Sequence, residues 1–147
     1  IRGERTMIRG LMVMMGLYTA CDTAKTCTEV GCLNGVTLTI YDYLGEPAEG
    51  AYGSLMVHES NYEFDCREGA ENDALCEGNT VTIFIDDSAL LPDEAVYLYT
   101  ANLSDAEGAS GNGTLVVEES YPNGEECPPA CRNAFLDVEM ERAAGPE

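Results

Sequence analysis

Cysteine is the residue type in this chain whose number and spacing most directly predict chemistry. The 147 residues include seven cysteines, an odd number. If six of them form three disulfides, one is left over for another use. The cysteines are Cys21, Cys27, Cys32, Cys66, Cys76, Cys127 and Cys131.

The spacing of Cys66 and Cys76 predicts a local disulfide that closes a polar loop. For the couples Cys27 with Cys32 and Cys127 with Cys131, two pairings remain open. Pairing between the couples joins the two ends of the domain, and pairing within each couple is the alternative. A zinc site made of these four cysteines is the metal alternative, but the export signal described below favours disulfides.

The remaining chemistry-bearing residues do not predict a catalytic site. His58 is the only histidine, and it lies in a predicted strand segment with no nucleophile elbow around it. A glycosidase needs two carboxylates at a defined separation, and in a chain with 27 acidic residues paired acids occur by chance. We therefore predict that the chain is not an enzyme and holds no resident cofactor.

Calcium is the ligand that the acidic residues fit best. Asp86, Asp87, Asp93 and Glu94 flank one loop between two predicted strands. Carboxylate oxygens suit Ca²⁺, and extracellular modules bind it weakly. No EF-hand spacing is present, so these four residues are weak calcium candidates. The alternative is an acidic rim exposed to solvent.

The N-terminal segment differs in composition from the rest of the chain. Arg2, Arg5 and Arg9 precede an uncharged, mostly apolar run over residues 11–20. A basic start followed by a short apolar stretch is typical of a secretory signal peptide, and the run is too short to span a membrane. We therefore predict a signal helix over residues 1–20. A buried amphipathic helix is the alternative, but the run has no 3.6-residue period.

Cys21 follows the apolar run directly, after Tyr18, Thr19 and Ala20. This arrangement resembles the lipobox of bacterial lipoproteins, although Tyr18 stands where Leu is usual. The resemblance implies that Cys21 is the first mature residue and carries lipid on its sulfur. It also implies a location at the periplasmic face of the inner membrane, or at the outer membrane or cell surface. Ordinary cleavage near Ala20, which leaves a free or intermolecular thiol, is the alternative.

The charge of the chain limits its partners. The formal net charge is −20, with 27 acidic residues against seven Lys and Arg. Nucleic acids and anionic surfaces repel such a chain, so nucleic acid is excluded as a partner. We expect contact with a membrane through the lipid anchor alone, and a protein or a glycan as the ligand.

Period-2 alternation of apolar and polar residues predicts the fold. Seven short alternating segments are separated by Gly, Pro, Asn and Asp, which is typical of an all-β, antiparallel sandwich. We assign residues 21–31 to a tether, 32–141 to the sandwich and 142–147 to a tail. The Gly-rich stretch 104–113 is predicted to be a loop. The alternating segments lie near residues 36–41, 55–57, 62–66, 81–85, 95–103, 115–117 and 134–140.

Two of these segments carry a family resemblance. Residues 79–85 and 93–99 resemble strands E and F of immunoglobulin variable-type domains. Asp93, Ala95 and Tyr97 match the family pattern Asp-x-Ala-x-Tyr-x-Cys, which carries the tyrosine corner. The resemblance implies an immunoglobulin-like (Ig-like) sandwich and says nothing about antigen binding.

The match has two departures from the immunoglobulin pattern. Tyr99 stands at the position of the family's cysteine, and the chain contains no Trp. The whole chain also resembles uncharacterised cysteine-rich lipoproteins of Gram-negative bacteria, in which a segment like 123–132 closes a small sandwich. That resemblance implies no particular activity.

Together, these features predict an exported, lipid-anchored β-sandwich with a structural or binding role. Binding is expected at loops, since loops on a rigid scaffold carry most binding residues. The alternative is a calcium-dependent adhesion or carbohydrate-binding module.

Overall fold

A computed structural model describes residues 33–85, 91–122, 124 and 130–144. The predicted signal segment and tether lie outside these residues, as do Asp86, Asp87 and Cys127. Within the described residues the chain is all-β, which confirms the predicted class. No helix in this part of the chain has the length and apolar character needed to cross a membrane.

The described strands form two five-stranded sheets. The strands are β1 (Gly35–Tyr41), β2 (Tyr52–Val57), β3 (Ser60–Asp65), β4 (Leu75–Glu77), β5 (Thr80–Phe84), β6 (Val96–Ser104), β7 (Glu107–Thr114), β8 (Val117–Ser120), β9 (Cys131–Glu139) and β10 (Glu141–Arg142). The first sheet has the order β4-β5-β1-β9-β8, and the second has the order β10-β7-β6-β2-β3.

Alternating apolar residues build one core between the sheets. In β1, Val36 and Leu38 are fully buried, whereas Thr37 faces outward and hydrogen-bonds Thr82 of β5. Leu55 of β2 in the second sheet belongs to the same buried cluster. Because each sheet has one apolar face, burying both faces against each other gives a sandwich-like arrangement.

One pairing differs from the predicted antiparallel pattern. β1 and β9 are parallel, with Val36 opposite Ala134 and Ile40 opposite Val138. Parallel neighbours need a long connection, and here nearly the whole domain lies between the two strands. The alternation predicted for β9 is confirmed, since Ala134 and Val138 are buried and Phe135 is exposed.

The Gly-rich stretch predicted as a loop is a strand, so that prediction was wrong. β7 pairs along β6, with Gly111 opposite Tyr99 and Gly113 opposite Tyr97. The two tyrosine rings stack with centroids 6.2 Å apart and cover the glycines. A Cβ on Gly111 would lie 2.6 Å from the Tyr99 ring, so the ring would have to shift to admit a side chain. The glycines therefore make room for the aromatic rings of the neighbouring strand.

His58 lies in a two-residue turn between β2 and β3, and not in a strand as predicted. Val57 pairs with Ser60 on either side of it. Its φ angle of 53° is in the left-handed region. Tight hairpin turns need positive φ at such a position, and Gly or Asn usually supplies it. Because histidine is not a typical turn residue, the turn at His58 could not be predicted from its residue type.

We expect Gly111→Ala to destabilise the fold by about 1–3 kcal/mol, because its methyl group overlaps the Tyr99 ring. This cost exceeds the roughly 0.5–1 kcal/mol that Ala gains over Gly within a strand. Gly113→Ala should cost less, since its Cβ would lie 3.2 Å from the Tyr97 ring. Urea unfolding measures the series. Asn112→Ala, at an exposed site between them, is the control; equal stability of all three variants would contradict the packing described.

Candidate functional site

The main candidate site is a groove along the β3 side of the sandwich. β3 is the edge strand of the second sheet and contacts β5 of the first sheet. Three open clefts of about 440, 430 and 630 Å³ lie here, and Asp73 lines all three. We call them together the side groove. Its lining residues are Leu33, Tyr52, Gly53, Asn61, Tyr62, Glu63, Phe64, Asp65, Glu71, Asn72, Asp73, Ala74, Ile83 and Phe84.

The backbone of β3 has a fixed orientation at the groove. The Cys66 amide donates to the Ala51 carbonyl across the β2–β3 pair, at 2.9 Å. In an antiparallel pair, the backbone N–H and C=O groups of successive residues point alternately toward and away from the partner strand. Asn61 and Glu63 therefore direct their backbone groups away from β2. The Phe64 side chain is buried in the core. The edge strand is therefore anchored by an inward side chain and open along its outer backbone.

The loop that follows β3 forms the second wall of the groove. Cys66 and Cys76 form the local disulfide predicted from their spacing, with Cα atoms 5.6 Å apart. The Asn72 side-chain amide donates to the Asp65 carbonyl at 2.8 Å, and the Ala74 amide donates to the Asn72 side chain at 2.9 Å. These contacts hold Asn72 and its neighbours against the end of β3.

The other predicted disulfide residues are only partly within the described chain. Cys131 begins β9, is buried and is disulfide-bonded. Cys27, Cys32 and Cys127 lie outside the described residues, as does the predicted lipid-bearing Cys21.

Carboxylates dominate the charge of the groove. Glu63, Glu71 and Asp73 are exposed, and the lining described above includes no Lys or Arg. Asp65 is the exception, because Arg67 donates to its carboxylate from Nε at 2.8 Å and from Nη2 at 2.6 Å. These hydrogen bonds from Arg67 lower the pKa of Asp65 to about 2. The guanidinium of Arg67 also lies 4.1 Å from the ring centre of Tyr52, as a cation–π contact.

The calcium candidates are only partly described. Asp93 is exposed, but its carboxylate accepts a hydrogen bond from the guanidinium of Arg132. The same guanidinium donates to Glu119 and, at 2.7 Å, to the Leu91 carbonyl. Glu94 is exposed, and the described residues contain no group of three His, Cys, Asp or Glu arranged to hold a metal. The geometry assigns Asp93 to an ion cluster with Arg132, and calcium binding stays a prediction.

The side groove was not predicted from the sequence. The only signal was the clustering of acids at Glu63, Asp65, Glu71 and Asp73, on both sides of Cys66. Because the groove combines β3 with a loop and with β5, which are separate in sequence, spacing alone does not reveal it. Comparison with known protein families, curated proteins and solved structures finds no match. The function is therefore inferred from the geometry of the chain itself.

Arg67→Gln should raise the pKa of Asp65 from about 2 toward its ordinary value of 3.8, because the hydrogen bonds from Arg67 are removed. The depressed folded-state pKa means that this contact stabilises the fold above the ordinary carboxyl pKa. That stabilisation is lost as pH falls toward 2.

An NMR titration of the Asp65 carboxyl carbon measures this shift. Arg142→Gln is the matched control, since Arg142 stacks on Tyr43 at 4.2 Å and has no contact with Asp65. An unchanged Asp65 titration in Arg67→Gln would refute the assigned cause.

Proposed function

We propose that this chain is an exported, lipid-anchored β-sandwich module that binds a protein or glycan ligand in the side groove, without catalysis. The observation that carries the proposal is the groove itself, which has aromatic and carboxylate lining on a rigid support. Tyr62 and Phe84 supply ring surface, and Glu63 and Asp73 supply charge. Concave sites with apolar walls and a few polar groups are the usual form of ligand sites.

The charge and rigidity of the groove favour recognition. Asp65 is ion-paired with Arg67, so the charge that the groove offers a ligand comes from its other carboxylates, Glu63, Glu71 and Asp73. The Cys66–Cys76 disulfide holds the wall that carries Asp73. A wall that is ordered before binding reduces the entropy that binding would otherwise cost.

We further propose that the sandwich has Ig-like topology in which one strand is replaced by another. The orders β4-β5-β1 and β7-β6-β2-β3 correspond to the family orders D-E-B and G-F-C-C′. Residues 79–85 and 93–99, which resemble strands E and F, contain β5 and the start of β6, and these lie in different sheets as E and F do. In this interpretation β9 occupies the position of the first strand, A, but runs parallel to β1.

Export and lipidation are supported by the sequence and by one disulfide. The basic start, the apolar run over residues 11–20 and Cys21 form the lipoprotein pattern. Disulfides such as Cys66–Cys76 are typical of oxidising compartments outside the cytosol. The module would lie at the periplasmic face of the inner membrane, or at the outer membrane or cell surface.

Intact mass spectrometry of the protein made with its own N-terminus tests the anchor. We expect a chain that begins at Cys21 with diacylglyceryl and acyl groups, whose other six cysteines are alkylated only after reduction. Cys21→Ser should give an unlipidated chain. A wild-type mass without lipid, or thiols that react before reduction, would refute the lipoprotein proposal.

Arrays of cell-envelope glycans and proteins test the binding role. Asp73→Lys should lower the affinity for the ligands of the wild-type protein by about tenfold or more, because it reverses the charge of a residue that lines all three clefts. Glu118→Lys, an exposed acid on the opposite edge strand β8, changes the net charge equally and should keep them. Equal binding by Asp73→Lys and wild type would place the binding site elsewhere.

A further inference from the structure

β3 is the longest of the four outer strands of the described sheets. β7 also has an uncovered stretch, since β10 pairs only with its Glu107 and Gly108, but the side groove lies beside β3. The other outer strands, β4, β8 and β10, have three, four and two residues, whereas β3 has six. An unpaired edge of this length is a template for another strand unless Pro, charged side chains such as Lys, a bulge or a covering element blocks it. The charged residues of β3 are the acids Glu63 and Asp65, which repel an anionic strand and not a cationic one. β3 contains neither Pro nor Lys, and its pairing with β2 has no register shift.

Within the described part of the chain, no residue pairs with the outward backbone groups of Asn61 and Glu63 at this edge. Asn61 and Glu63 direct both amide and carbonyl away from β2, and neither group has a hydrogen bond to a described residue outside the sheet. At Asp65 the edge ends, because the Asn72 side chain occupies the carbonyl. At the other end the turn at His58 reverses the chain. The available groups match a short strand laid between these limits.

The groove beside this edge provides space for alternate side chains of an added strand. Successive strand residues point to opposite faces, so every second side chain would enter the clefts beside Tyr62 and Phe84. The remaining side chains would lie on the outer face beside Glu63, which is exposed. Asp73 lines the same clefts.

Charge identifies the occupant. A second copy of the chain would bring its own Glu63 and Asp73 against this edge, and each copy has a formal net charge of −20. Repulsion between these like charges on neighbouring strands disfavours the pairing of two copies. The same acids would attract the Lys or Arg side chains of a different protein. We propose that β3 receives an extended cationic segment of a partner protein as an additional strand. This inference rests on the proposed binding role of the side groove and names the class of its partner.

The probe is a synthetic peptide in which Lys and Val alternate. It has roughly six residues, which is the usual length of a strand. Two further versions carry N-methyl groups, one on the amides of the odd residues and one on those of the even residues. Since an added strand pairs through only one set of its amides, one version should lose binding and the other should keep it. A Glu/Val peptide should not bind. Calorimetry with the full chain measures all four affinities.

Hydrogen exchange of the protein locates the added strand. On saturation with the Lys/Val peptide, the Asn61 and Glu63 amides should exchange at least about tenfold more slowly, because they gain partners. Glu63→Lys should weaken the peptide about tenfold or more, whereas Glu118→Lys should have a much smaller effect at the same net charge. Circular dichroism checks that both variants keep the fold.

Three results would overturn the inference. They are absence of binding by the Lys/Val peptide, equal binding by the two N-methylated peptides, and equal weakening by Glu63→Lys and Glu118→Lys. If any of them occurs while Asp73→Lys still loses ligands on the arrays, the proposed binding role stands and only the added strand is wrong. If Asp73→Lys keeps every ligand, the proposed function itself fails.

Discussion

The parallel pairing of β1 with β9 is the interaction on which the rest of the structure depends. β1 lies in the middle of the first sheet, and its inward residues Val36 and Leu38 are fully buried against the second sheet. β9 covers the other side of β1 and brings Arg132 to the Leu91 carbonyl and to Asp93, just before β6 begins. A strand from near the end of the described chain thus fixes the first sheet, and through Arg132 it also fixes the chain that enters the second.

The two sides of the sandwich are completed by different means. On one side, β7 fits against β6 because Gly111 and Gly113 leave room for tyrosine rings. On the other side, the disulfide-closed loop reaches β3 at the Asp65 carbonyl through Asn72 and does not pair with the outward backbone groups of Asn61 and Glu63. This asymmetry is why the candidate site lies along an edge strand, although binding was expected at the loops of the sandwich ends.

Strands with one buried face could be predicted from the sequence, because burial imposes alternation on a single segment. Val36 and Leu38 in β1 and Ala134 and Val138 in β9 are examples. β7 could not be predicted, because its glycines are required by tyrosine rings on the neighbouring strand and show no apolar–polar alternation of their own. The local Cys66–Cys76 bridge was predictable from spacing, whereas the side groove depends on which edge strand the topology leaves open.

The stacked pair of Tyr97 and Tyr99 has a spectroscopic consequence. The rings are held at an interplanar angle of 7°, and since the chain contains no Trp, its near-ultraviolet signal comes mainly from its eight tyrosines, this pair among them. Fixed aromatic rings in an asymmetric environment give near-ultraviolet circular dichroism, which disappears when tertiary packing is lost. The tyrosine contact that packs β7 against β6 therefore gives a near-ultraviolet circular dichroism signal that reports whether the domain is folded.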